Sequence, residues 1–243
     1  MIAIVDFGSQ YTQLIAKRFR RLGFKAQVFP SKTTAKDLTT QFPDRSLQGI
    51  VLSGSPSSVG KGGDPDISLL EMDLPILAIC FGYQFIARQM GGKVEASTHR
   101  EYGQAWVDRV IGVEAGEFLV DIPERFRVWM SHGDSVVAVP QDAEVFLRSE
   151  GKIAAFWMPK RQIWALQFHP EVYHSQYGEE IFKNFAEKIC GVRSGQWSVA
   201  QALELVLEKL RHDLRDVPEL YCAVSGGTDS TVLAVLLSQV TRV

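Results

Sequence analysis

The chain has 243 residues, 46% hydrophobic and 22% charged, a balance that excludes disorder as the main state. Its 26 basic and 28 acidic side chains leave a net charge of -2, so no basic excess points to nucleic acid or to an anionic membrane. Three cysteines are too few for a disulfide framework, MIAIVDFGSQ is not a signal peptide, and no apolar run nears the ~20 residues that span a bilayer. These features predict a soluble, cytoplasmic protein with no nucleic-acid or membrane partner.

The first ninety residues alternate strand and helix. Ile2 to Val5 reads as a strand, 10–22 as a helix with Leu14, Ile15, Phe19 and Leu22 on one face and Gly23 as its cap. Strands follow at Phe24–Phe29, 49–52 and Leu74–Cys80, with a weaker helix around 34–42 and another at Gln84–Met90. This is how a mostly parallel, helix-covered sheet is written. From Lys93 to Phe168 helical periodicity is scarce. Short strands at Gln104–Val110, Arg127–Met130, Ser135–Val139, Glu144–Arg148, Ile153–Trp157 and Ile163–Phe168 predict antiparallel additions. A helix resumes at Gly178–Cys190. Ser198 caps an amphipathic helix near 199–214, with Ala202, Leu203, Val206 and Leu210 on one face. Leu220–Val224 reads as a last strand, leading through Ser225-Gly226-Gly227 into a helix from about Asp229. The fold class is therefore α/β: an open, mostly parallel sheet flanked by helices, with added antiparallel strands.

Cys80 stands where a buried strand turns into a helix. Such a corner exposes the side chain, its helix N-terminus favours a thiolate, and its backbone N–H groups can bind an oxyanion. Gly82 removes the Cβ that would crowd the turn. A buried apolar cysteine is the common alternative, and Cys190 and Cys222 read that way. A thiolate needs a base and the base needs an orienter. In Gln167-Phe-His169-Pro-Glu171, residues i and i+2 of an extended chain share a face, so Glu171 can fix the His169 imidazole. His99 and His174 lack such a setting and His212 lies on an exposed helix face. His132, in a turn-like Met130–Asp134 loop, is a candidate pocket-lining group. The Ser225–Ser230 loop can cradle an anion on consecutive N–H groups, but it lacks the Lys of a Walker A motif.

The elbow CFGYQ, the loop LSGSPSSV and the distal QFHPEV together resemble the class I glutamine amidotransferases, whose flavodoxin-like sheet is then expected. DFGSQYTQLIAKRFRRLG, REYG at 100–103, VWMSHGD at 128–134 and the tail that runs from QFHPEV through NF to CG narrow the resemblance to the GMP synthetase family. It implies that Cys80 attacks the glutamine amide to form a thioester, that His169 serves as base and then acid, and that Glu171 orients it. Ser55 and Phe81 would supply the oxyanion N–H groups. Gly54, Gln84, Ser131 and Gly133 would help hold glutamine. No cofactor or metal is implied for that step.

SGGTDS is similar to the pyrophosphate loop of ATP pyrophosphatases. This implies that Ser225, Gly226, Gly227, Asp229 and Ser230 begin a second domain that uses ATP, Mg2+ and XMP. The expected division is an amidotransferase domain at 1–191, a linker and helix at 192–218, and the start of the second domain at 219–243. Most of that second domain lies outside this sequence, so these residues by themselves are expected to be at most a glutaminase. The apolar Val232, Leu233, Leu236 and Leu237 are expected to dock on the first domain or pair with a second copy, as in a homodimer. The family usually has SGGP where this chain has Ser53-Gly54-Ser55-Pro56. If that position needs φ > 0, Ser55 costs roughly 1–2 kcal/mol there. The alternative readings are a non-catalytic binding module and the amidotransferase of another biosynthetic pathway.

Overall fold

A computed structural model describes residues 1–113, 115–195 and 197–241, for 97–100 the backbone alone. His99 falls among those four, outside the described side chains. The order is β1 (Ile2–Asp6), α1 (Thr12–Arg21), β2 (Ala26–Pro30), α2 (Ala35–Gln41), β3 (Gly49–Leu52), β4 (Ile76–Ile79), α3 (Phe81–Gln89) and β5 (Lys93–Arg109). It continues with β6 (Arg125–Ala138), β7 (Glu144–Ser149), β8 (Lys152–Met158), β9 (Ile163–Leu166), α4 (Gly178–Asn184), α5 (Val199–Asp213) and α6 (Thr228–Ser238). The chain forms two compact units, Met1–Gln196 and Trp197–Val243, so α5 belongs with the C-terminal residues. No described helix is long and apolar enough to cross a membrane.

One sheet runs through the first unit in the order β2-β1-β3-β4-β9-β8-β7-β5-β6. The pairings from β2 to β9 are parallel and those from β9 to β6 antiparallel. The expected parallel sheet with antiparallel additions is present, each kind of pairing taking one half. In the parallel half successive side chains enter opposite layers. Ile2 and Ile4 pack with Phe19 of α1 and Phe182 of α4, while Ala3 and Val5 pack with Leu38 of α2 and Phe85 and Ile86 of α3. Both faces are covered, which is why these strands read as unbroken apolar runs. Phe19 and Phe182 are fully buried and meet edge to face at 4.9 Å; burying each ring contributes about 1.5–3 kcal/mol.

Four local expectations differ from the structure. Met130–Asp134 is not a turn: it lies within β6, where Phe126, Val128, Met130 and His132 are buried in strict alternation. Gly103, Tyr102, Glu101 and Ala96 of β5 pair with Met130, Ser131, His132 and Asp134, giving this polar stretch its ladder partners. The α3 helix starts at Phe81 rather than Gln84, because the turn is completed within Cys80. The helix after Gly178 widens into a π turn at Phe185–Ile189. Leu220–Val224 is irregular and not a strand; a strand needs a hydrogen-bonded neighbour, and no described residue pairs with it. The Ser198 cap forms as expected, its Oγ accepting from Gln201 N at 3.2 Å. The buried residue of α5 is Leu207, while Leu203 and Val206 are exposed.

Candidate active site

Ligand sites in parallel sheets lie beyond the carboxyl ends of the strands, and here that end is lined by chemistry. β4 and β9 are adjacent and parallel, with Ile79 paired to Leu166. Cys80 follows the first strand and Gln167-Phe168-His169 the second, so register alone sets the two candidate groups side by side. Cys80 N donates to Leu166 O at 2.7 Å, closing the corner. Its φ of 52° and ψ of -98° lie outside the compact left-handed basin, a strained geometry that persists only when its surroundings enforce it. Gly82 is one reason it persists: a Cβ there would lie 2.7 Å from Leu52 O. As the first helical residue, Phe81 has an N–H with no intrahelical acceptor.

His169 and Glu171 are both buried, with Nδ1 and Oε1 2.7 Å apart. The backbone of this corner is clamped on several sides. His169 N donates to Trp129 O of β6 at 3.0 Å, and Ser175 Oγ donates to His169 O at 2.6 Å. Arg18 Nε of α1 donates to Glu171 O at 3.0 Å. Burial by itself opposes an imidazolium at His169. The Glu171 carboxylate and then the Cys80 sulfur outweigh it and hold the ring well above its usual value. The charged form is thus favoured next to the sulfur, as a thiolate–imidazolium pair requires.

These groups open into a cavity of about 760 Å³, whose lining includes Ser55, Cys80, Gln84, Ser131, Gly133 and His169. Gly54 is buried behind that lining, where a Cβ would meet His169 Cε1 at 3.2 Å. The φ of Ser55 is not positive, so the strain considered for a non-glycine residue there does not arise. Gln84 spends its amide hydrogens on Asp134 O at 2.9 Å and Gln167 Oε1 at 3.3 Å, leaving its oxygen for the cavity. His132 is buried in the wall, with Nδ1 3.0 Å from Asp134 O and Nε2 3.3 Å from Glu101.

Tyr11 is a residue that sequence reasoning did not single out. It lines the cavity, and its ring meets that of His169 edge to face with the centroids 5.1 Å apart. The signal for it was the polar Gly8–Tyr11 loop following β1, at the same carboxyl end of the sheet. The Ser225–Ser230 loop lies in the second unit. There Ser225 N donates to Ser230 Oγ at 3.2 Å, Gly226 has φ 81°, and no side chain caps α6. Among the described residues no cluster of metal-ligating side chains occurs.

A strand–cysteine–helix elbow beside a buried His–Glu pair, on a sheet of this order, defines a class of protein. The model of glutamine amidotransferase class I matches residues 3–189, and the chain belongs to that family. Among relatives, GMP synthase (glutamine-hydrolyzing) of Bacillus cereus is 42% identical over 240 residues, 97% of this chain and 45% of its own length. The protein of that name from Staphylococcus aureus strain Newman is 39% identical over 242 residues, 98% of this chain and 45% of its own. The chain thus spans just under half the length of these relatives. A candidate GMP synthase component from Thermoplasma acidophilum superposes with a TM-score of 0.66 at 31% identity, over 78% of this chain and 93% of its own. A glutamine amidotransferase of Thermotoga maritima shares the fold at 20% identity, with a TM-score of 0.55 over 98% of this chain and 95% of its own.

Proposed function

We propose that the chain hydrolyses the side-chain amide of glutamine, with the 2.7 Å His169–Glu171 contact next to the Cys80 elbow as the observation that carries the reading. The Cys80 thiolate attacks the amide carbon, forming a C–S bond. The carbonyl electrons move onto oxygen, which accepts hydrogen bonds from the backbone N–H groups of Phe81 and Ser55. His169, held as an imidazolium by Glu171, gives its proton to the amide nitrogen; the C–N bond breaks and ammonia leaves. His169 then takes a proton from water, whose oxygen attacks the thioester. The C–S bond breaks, releasing glutamate, whose carboxyl proton passes to water, and restoring the Cys80 thiolate beside the His169 imidazolium. Gln84, Ser131 and Gly133 border the glutamine, and Gly54 backs the cavity behind them.

The ammonia would serve amination of XMP to GMP, the reading supported by 42% identity to a GMP synthase across nearly the whole chain. In that reading Ser225, Gly226, Gly227, Asp229 and Ser230 meet the pyrophosphate of ATP, with Mg2+ arriving as the ATP complex. The exposed Val232, Leu233 and Val235 of α6 fit being covered by the rest of a synthetase domain or by a second copy. A cytoplasmic setting suits three free cysteines. The test is treatment with 6-diazo-5-oxo-norleucine and an ammonia-release assay with and without a supplied synthetase domain, ATP and XMP. Mass addition at Cys80 and ammonia release stimulated by the loaded synthetase are expected. Labelling elsewhere or nowhere overturns the glutaminase reading.

A further inference from the structure

Gln167 is 2% exposed, lies beside the nucleophile, and has no part in the scheme above. Its orientation follows from a backbone group. The Asp134 carbonyl can only accept, so Gln84 must turn its NH2 toward it, and Nε2 lies 2.9 Å away. His132 Nδ1 meets the same oxygen at 3.0 Å, which fixes that ring's proton on Nδ1. The second hydrogen of the Gln84 amide faces Gln167 Oε1 at 3.3 Å. Gln167 must then present its own NH2 on its other side, where Cys80 Sγ lies 3.8 Å away. Rotating the Gln167 amide by half a turn would oppose two NH2 groups and set a carbonyl oxygen against the sulfur.

We infer that Gln167 is a further catalytic residue, whose amide N–H donates to the Cys80 sulfur and stabilises the negative charge it carries before attack and on leaving the thioester. The inference rests on Cys80 being the nucleophile. The sulfur is buried, and a buried anion needs donors. Its neighbours pull in opposite directions. The Ser131 carbonyl, 3.6 Å away, accepts and so favours the protonated thiol. His169 and Gln167 donate and favour the thiolate. Without Gln167 the balance moves toward the thiol.

The experiment is the rate of Cys80 alkylation by iodoacetamide in the full chain, followed by mass across pH, for the wild type, Gln167→Met and Gln167→Glu. Methionine keeps the length and removes the donor; glutamate keeps the shape and reverses the donor. In Gln167→Met the pH of half-maximal rate should rise by about one unit, an approximately tenfold slower reaction on the acid limb, and further in Gln167→Glu. A purely structural role would not move this profile in a variant that keeps the wild-type melting curve. Should Gln167→Met not fold, Gln84→Met, which frees the Gln167 amide to rotate, is measured with the same two outcomes. A profile that tracks the wild type overturns the inference alone. A wild-type Cys80 that does not alkylate overturns both it and the nucleophile reading.

Discussion

Glu171 Oε1 lies 2.7 Å from His169 Nδ1 with the single residue Pro170 between them in sequence. This contact counteracts the burial that would otherwise favour a neutral ring. Glu171→Gln keeps the shape and removes the charge. It should lower glutaminase kcat/KM by roughly 10²–10⁴-fold. Ammonia release measures it, and a loss smaller than about threefold would contradict the role assigned to Glu171.

The two buried histidines of the site should give stability opposite pH slopes. His132 is held below 6.5, chiefly by burial, with Lys152 and His169 adding to that and Glu101 and the Asp134 carbonyl opposing it. The unfolded chain then binds that proton more readily, so stability is intact above 6.5 and falls as pH drops through the folded value. His169 is raised, so its contribution is full below 6.5 and is lost as pH rises through its folded value. Urea midpoints from about pH 5 to about pH 9 report both. His132→Asn should flatten the acid side and His169→Asn the alkaline side. Unchanged slopes in both variants would refute the assignment.

Gly82→Ala tests the elbow. The added methyl would sit 2.7 Å from Leu52 O and 2.8 Å from Leu52 Cβ, both in the rigid centre of the sheet. A cost of roughly 1–3 kcal/mol is expected in thermal melting. Labelling of Cys80 by the glutamine analogue should slow because the corner must shift. Wild-type melting and labelling together would show that the turn has room to spare.

Residues 1–196 should fold without the rest. Both hydrophobic clusters of the first unit are complete by Val192, and burial of such clusters is the main stabilising term. A chain ending at 196 should melt cooperatively, with near-UV circular dichroism like that of the full chain. A molten spectrum would show that the second unit is needed.

Much of the site was legible because its signals are local. The β-branched run before Cys80, the glycine two residues after it, and His-Pro-Glu at alternating positions each act within a few residues. Resemblance to a family then gave roles to Ser55, Phe81, Gln84, Ser131 and Gly133. Elsewhere the local signals misled. Ser131 to Asp134 carry turn chemistry, yet β5 supplies ladder partners that hold them in a strand. Leu220 to Val224 carry strand chemistry, yet no described residue pairs with them.

By itself, then, the sequence determined which residues are candidates for chemistry and the strand and helix that flank Cys80, since side-chain type, periodicity and turn residues act over short range. Tertiary structure alone decided what those residues do to one another. The parallel register of β4 and β9 brings together Cys80 and His169, which stand 89 positions apart in the chain. A carbonyl of β6 orients two glutamine amides that no spacing rule connects. These contacts are made by sheet order and burial, long-range quantities that no window of the sequence contains.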